Sequence, residues 1–359
     1  MSIRRHQHML GWMGLVVASL VLMIQGTAGA AGPTTKFALS GKITHPETVT
    51  LSTLQAFPPT TETTTYTAGT NTVTGTFTGV PLWTLLNDPS GGGGIVTTPG
   101  VKNDFLRDYV LATGSDGYRA VIAVGEIHPN FGNQADLVAY SVNGQPLGAD
   151  GFARTVIPGD QFGGRYVSNL VSVQLLASTS VQPGTGGGLS SQFSLSGTVN
   201  HPGNFNLSSL QAMPSVTENV TYQAGTSTVT GSFTGVSLWS FLTQAGVITD
   251  STVKNDILGK YLVATGSDGY KAVISLGEIN PQFGGQQDLI AYSFNGQGLG
   301  ADGFARLVVP GDIFGGRYVS NLVSLEVLDA PRAVPEPGSI LLLLTGLAGI
   351  TFQRYSRYI

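Results

Sequence analysis

Short apolar runs broken by glycine, asparagine and aspartate dominate the pattern along the chain. Val110-Leu111-Ala112 and the run from Tyr118 to Ala123 flank Ser115-Asp116-Gly117, and an Asp-Gly turn between apolar runs predicts a β-hairpin. Leu137 to Val142 predicts a strand ended by Asn143-Gly144. Arg154 to Ile157 predicts another, stopped by Pro158-Gly159, and a last strand is expected within Tyr166 to Leu176. Pro81 to Leu86 reads as a short helix entered through proline, and a second short helix is expected near Gly125-Glu126-Ile127. The fold class expected is α+β, dominated by β.

The pattern occurs twice. Phe37 to Pro46 returns as Phe193 to Pro202, and Gly75 to Val80 as Gly231 to Val236. Ala112 to Tyr118 returns as Ala264 to Tyr270, and Gly163 to Leu170 as Gly315 to Leu322. The offset is 156 residues early and 152 later, and it changes at Gly91 to Gly94, which predicts a surface loop insertion there. Two tandem domains are expected, at 34–178 and 191–330. The Gly/Ser/Thr-rich stretch 179–190 between them is expected to be a flexible linker.

Composition narrows the function classes. The net charge is −4 and no basic stripe is present, which sets nucleic acid aside. Fifty glycines suit short strands and tight turns. The chain has no cysteine. Disulfides, thiolate metal sites and cysteine nucleophiles are therefore excluded.

Both ends read as addresses. Arg4 and Arg5 precede an apolar run from Met9 to Ile24 and then small residues to Ala31, the pattern of a secretory signal peptide over 1–31. A retained membrane anchor is the alternative. At the other end, Pro335-Glu336-Pro337 is followed by an apolar stretch from Ser339 to Phe352 and a basic tail with Arg354 and Arg357. Segment 334–359 resembles a PEP-CTERM sorting signal. That resemblance implies recognition by an exosortase and a place at the cell envelope or outside it, with a transient or retained C-terminal anchor.

The body of each repeat resembles the molybdopterin-binding domain of sulfite oxidases. Phe77 to Trp83 resembles the segment that opens a helix in that family, and Gly114 to Tyr118 its hairpin. Leu137 to Leu147 resembles its strand and turn, Gly151 to Pro158 its arginine-bearing strand, and Tyr166 to Ser172 its final strand. The second repeat matches through Phe233, Asp268, Asn295, Arg306 and Pro310. The resemblance implies a pyranopterin cofactor whose molybdenum takes one ligand from a protein cysteine. Thr67 and Gln223 stand at the matching positions, and neither is a soft anionic ligand. Arg154 and Arg306 match a family arginine that would contact an anion. Ser168 and Ser320 replace a family lysine. Arg165 and Arg317, three residues earlier, are the candidates to compensate in gripping a pterin phosphate.

Other polar residues have plainer readings. His45 and His201 precede proline and read as structural or exposed; His128 has no counterpart, since Asn280 stands there. Asp116 and Asp268 are turn formers. Glu126 and Glu278 fit a helix start. Asp160 with Arg165, and Asp312 with Arg317, suit a local ion pair. Trp83 and Trp239 read as core, Asp136 and Asp288 as solvated strand starts. No catalytic triad, P-loop or dinucleotide fingerprint is present.

Three functions remain open: a non-catalytic surface or biofilm-matrix module, a molybdopterin-dependent oxidoreductase of unusual ligation, and a binder of another small anion or organic ligand. No catalytic or metal-ligating residue is singled out.

Overall fold

The computed structural model describes residues 33–88 and 92–332. The signal-peptide and sorting-signal readings lie outside these residues. Among the described residues no helix is long and apolar enough to cross a membrane.

The first repeat contains β1 (Lys36–Gly41), β2 (Glu47–Thr50), α1 (Leu51–Gln55), β3 (Thr60–Ala68), β4 (Asn71–Pro81), α2 (Leu82–Asn87), β5 (Asp108–Gly114), β6 (Arg119–Ala123), α3 (Val124–Ile127), β7 (Leu137–Val142), β8 (Gln145–Pro146), β9 (Arg154–Val156) and β10 (Leu170–Ala177). One sheet runs β2-β1-β10-β5-β6. The other runs β3-β4-β7-β8, with β9 also paired to β7. The second repeat has the same two sheet orders, so the β-dominated α+β expectation holds twice.

Most predicted elements fall where the pattern put them. The Asp116-Gly117 turn joins β5 to β6, and Asp116 Oδ1 accepts from the Tyr118 N–H at 2.9 Å. α2 begins one residue after Pro81, whose missing N–H costs nothing there. The last strand starts at Leu170, within the expected stretch, after a single 3-10 turn at Gly163–Arg165. The glycine run is not simply surface: Gly92 and Gly93 are buried, and Gly93 and Gly94 carbonyls accept from His45 and Thr44.

Every residue of β5 and β6 is buried. A strand that reads as a continuous apolar run has both faces covered. Here one face, with Val110, Ala112, Ala120 and Ile122, belongs to the first repeat's own core. The other, with Tyr109, Leu111, Val121 and Ala123, meets Tyr261, Val263 and Val273 of the second repeat. The repeats therefore pack back to back across a seam, and the Tyr109 and Tyr261 rings lie 4.3 Å apart on it.

The contacts across the seam are reciprocal. Asn255 Nδ2 donates to Tyr118 Oη at 2.9 Å, and Asn103 Nδ2 to Tyr270 Oη at 3.0 Å. Backbone N–H groups of Gln161 and Phe162 donate to carbonyls of Phe283 and Gln282. Those of Ile313 and Phe314 donate to Phe131 and Asn130. All these positions are related by the 152-residue offset, so the two domains of one chain meet as the protomers of a twofold dimer do.

The linker is tied down. Thr185 and Gly187 N–H groups donate to the Ser267 carbonyl, each at 2.8 Å, and Lys271 Nζ donates to the Ser180 carbonyl at 2.8 Å. Composition predicted flexibility; these bonds to the second repeat replace it.

Candidate functional site

A cleft of about 920 Å³ opens at the seam. The first repeat contributes Tyr66, Thr67, Asp116, Arg154, Phe162 and Tyr166 to it, and the second contributes Lys254, Asn255, Gln282 and Phe283. The cleft thus gathers two of the residues singled out from sequence, Thr67 and Arg154. In the second repeat the linker runs along the turn whose first-repeat counterpart borders the cleft. Ser267, the counterpart of Ser115, bonds linker residues through both its carbonyl and its hydroxyl.

Thr67 lies near the end of β3, half-buried, with its N–H donating to the Gln161 carbonyl at 2.8 Å. Alternation along β3 turns Tyr66 into the core, stacked on Tyr166 at 4.2 Å, and leaves Thr67 on the other side. Gln223 is the counterpart. Its Nε2 donates to Thr228 Oγ1 at 2.9 Å across the hairpin, which occupies its amide locally.

Arg154 is anchored on β9 and buried at the cleft edge. Its Nη1 donates to Asp150 Oδ2 at 2.5 Å and its Nη2 to the Tyr166 carbonyl at 3.3 Å. The guanidinium also lies over the rings of Tyr166 and Phe77, at 5.5 and 5.9 Å. Ser168 Oγ holds the other carboxylate oxygen, Asp150 Oδ1, at 2.9 Å. The second repeat builds the same triad: Arg306 Nη1 to Asp302 Oδ2 at 2.8 Å and Ser320 Oγ to Asp302 Oδ1 at 2.7 Å. The Nε groups of both arginines are buried without a partner.

Arg165 and Arg317 are not in the cleft. Both are 2% exposed, and their guanidiniums point into the seam. Arg165 binds Asp160 through Nε and Nη2, at 2.9 and 2.5 Å, and Glu126 through Nη1. Arg317 binds Asp312 at 2.9 and 2.6 Å and Glu278 at 2.5 Å. The local Asp160–Arg165 and Asp312–Arg317 pairs expected from sequence are present. The expectation that these arginines reach a pterin phosphate is corrected: both are buried away from the cleft, and all three nitrogens of each guanidinium bond a buried carboxylate.

Two more readings change here. Glu126 and Glu278 do sit in the first turn of short helices, but buried, as the arginines' partners. Asp136 and Asp288 are not solvated; each is 1% exposed, and neither carboxyl oxygen of either has a hydrogen-bond partner. Both are buried among groups distant in sequence, a tertiary fact that alternation cannot report. His128 is also buried, stacked on Phe105 at 4.5 Å and near Trp83 and Phe131, and burial pushes its imidazole down to about 4. Among the described residues no group of three or more His, Cys, Asp or Glu could hold a metal ion.

The oxidoreductase molybdopterin binding domain family matches the chain twice, over residues 31–183 and 190–335. The chain belongs to that family. Among solved structures it is similar to the sulfane dehydrogenase SoxCD from Paracoccus pantotrophus, with 23% identity, 40% of each chain covered and a TM-score of 0.33. The chain thus spans well under half of that relative's chain. No curated protein matches.

The residues at hand do not fit the metal-bearing form of the family's cofactor. A molybdenum ligand should be soft and anionic; the cleft offers the neutral hydroxyl of Thr67 and the second repeat the amide of Gln223, and the chain has no thiol at all. The anion grip is partly taken up as well. Asp150 and Asp302 pair with Nη1 of Arg154 and Arg306, and the Nε of each arginine is buried without a partner.

Proposed function

We propose that this is an exported, surface-associated protein whose two molybdopterin-domain folds act as a non-catalytic binding or matrix module. The termini support export and exosortase-dependent sorting to the envelope or beyond: a basic start with an apolar run, and a Pro-Glu-Pro motif with an apolar stretch and basic tail. One observation carries the non-catalytic part. In both repeats an internal carboxylate, Asp150 or Asp302, occupies the arginine that the family resemblance assigns to the cofactor, and a serine fixes that carboxylate in place. Function lives in the site rather than the fold, and this site binds itself.

The test is pterin content. The chain is purified from a host that makes and exports molybdopterin, denatured, and its supernatant read for pterin fluorescence. No pterin is expected. One equivalent per domain in a folded sample would overturn the proposal and favour an oxidoreductase of unusual ligation.

A further inference from the structure

The seam between the repeats buries more acid than base. Glu126, Asp136 and Asp160 of the first repeat and Glu278, Asp288 and Asp312 of the second are each at most 2% exposed, and so are Arg165 and Arg317 among them. Were all ionised, four carboxylates would lack a countercharge. A buried group so placed takes a proton instead.

The hydrogen bonds mark two of those groups. The arginines hold Asp160, Glu126, Asp312 and Glu278. The second oxygen of Glu126 accepts from Ser275 of the other repeat at 3.4 Å. Asp136 and Asp288 receive nothing at either carboxyl oxygen. We propose that the seam is a proton-dependent latch: the repeats close on one another with Asp136 and Asp288 as neutral acids, and ionisation of these two carboxyl groups opens it.

Asp136 faces Glu126, Arg165, Asp160 and, across the seam, Glu278. Asp288 faces Glu278, Arg317, Asp312 and, across the seam, Glu126. The Tyr166 phenol lies beside Asp160, and that of Tyr318 beside Asp312 and Asp288. Burial, and then the neighbouring carboxylates, hold both aspartates well above the usual carboxylate range. Burial also lifts Glu278 to about 7. The sign follows from linkage: an acid raised in the closed state is protonated there and ionised when open. Closure is therefore strongest at acid pH and weakens as pH rises above the ordinary aspartate value, about tenfold per pH unit for each proton released.

Each repeat has a main core of its own, and Leu258 and Phe283 of the second repeat also pack into that of the first. Opening has a consequence at the cleft too. Phe162 and Phe283, which border the cleft, belong to segments whose backbones bond across the seam.

Amide hydrogen exchange on the full chain, between pH 5 and 8 and corrected for intrinsic rates, tests the latch. Protection of the Gln161, Phe162, Ile313 and Phe314 amides is expected to fall as pH rises within that window, by up to about a hundredfold per pH unit while both carboxyls stay protonated in the closed state. Protection in β1 and β10 is expected to hold. Asp136→Asn combined with Asp288→Asn should remove most of the fall, and either substitution alone about half of it. Flat protection at the seam, a fall shared equally by β1 and β10, or an unchanged slope in the single variants would overturn the proposal.

Discussion

Arg165 of the first repeat lies against Gly277 of the second, so closely that a Cβ at position 277 would sit 2.6 Å from the arginine's Cδ. The relation is reciprocal: a Cβ at Gly125 would sit 2.4 Å from Cδ of Arg317. Neither arginine can swing away, because each is clamped by two buried carboxylates. These glycines are there for the other repeat's side chain, not for backbone freedom.

Gly277→Ala is therefore expected to destabilise the chain by about 1–3 kcal/mol, the usual cost of overpacking. Gly298→Ala is the control, since nothing lies within 4 Å of a Cβ there; it should stay within about 0.5 kcal/mol. Denaturant unfolding reads both. Equal midpoints for the two variants would show that the seam yields.

His128 supplies a pH dependence of opposite sign to the latch. Burial lowers its pKa to about 4, so the folded chain binds fewer protons there than the unfolded chain. Its contribution to stability is complete above the ordinary histidine value of about 6.5. That contribution is lost as pH falls toward 4. Asn280 fills the place in the second repeat and accepts the same kind of bond, from the Gln282 N–H at 2.9 Å where His128 Nδ1 accepts from Asn130 at 3.0 Å. His128→Asn should lower the melting temperature at pH 7, through loss of the ring stack. It should also lose less stability than the parent between pH 6.5 and 4.5. An unchanged acid slope would place the effect elsewhere.

What the sequence disclosed was local. The Asp116-Gly117 turn, the Leu137–Val142 strand, the helix after Pro81 and the twofold repetition all depend on neighbours in the chain, and the structure has them. The domain family and the absence of a thiol were legible for the same reason. The seam was not. Asp136 looks solvated beside Gln134 and Ala135, and packing distant in sequence buries it, with Glu126, Arg165 and Asp160 of its own repeat and Glu278 of the other around it. Arg165 looked like a ligand grip because its partner Glu126 is 39 residues distant. One signal did point to the seam: β5 and β6 lack the polar alternation of a half-exposed sheet.

Asp150 is the group that keeps Arg154 from an external anion. Asp150→Ala frees Arg154 Nη1 and Ser168 Oγ together. Since Asp150 is partly exposed, the loss of stability should be only about 0.2–1 kcal/mol. Inorganic phosphate is expected to bind the variant in calorimetry and not the parent. Equal binding by both would mean that the carboxylate does not block the arginine.

On the proposed function, these two domains keep the molybdopterin fold without its metal. Molybdenum per chain, measured by elemental mass spectrometry on the folded protein from a cofactor-producing host, tests it most directly. Molybdenum at background is the expected result, unchanged in Thr67→Ala and in Gln223→Ala. About one atom per domain, lost in either variant, would contradict the claim and make an oxygen or amide ligand part of the site.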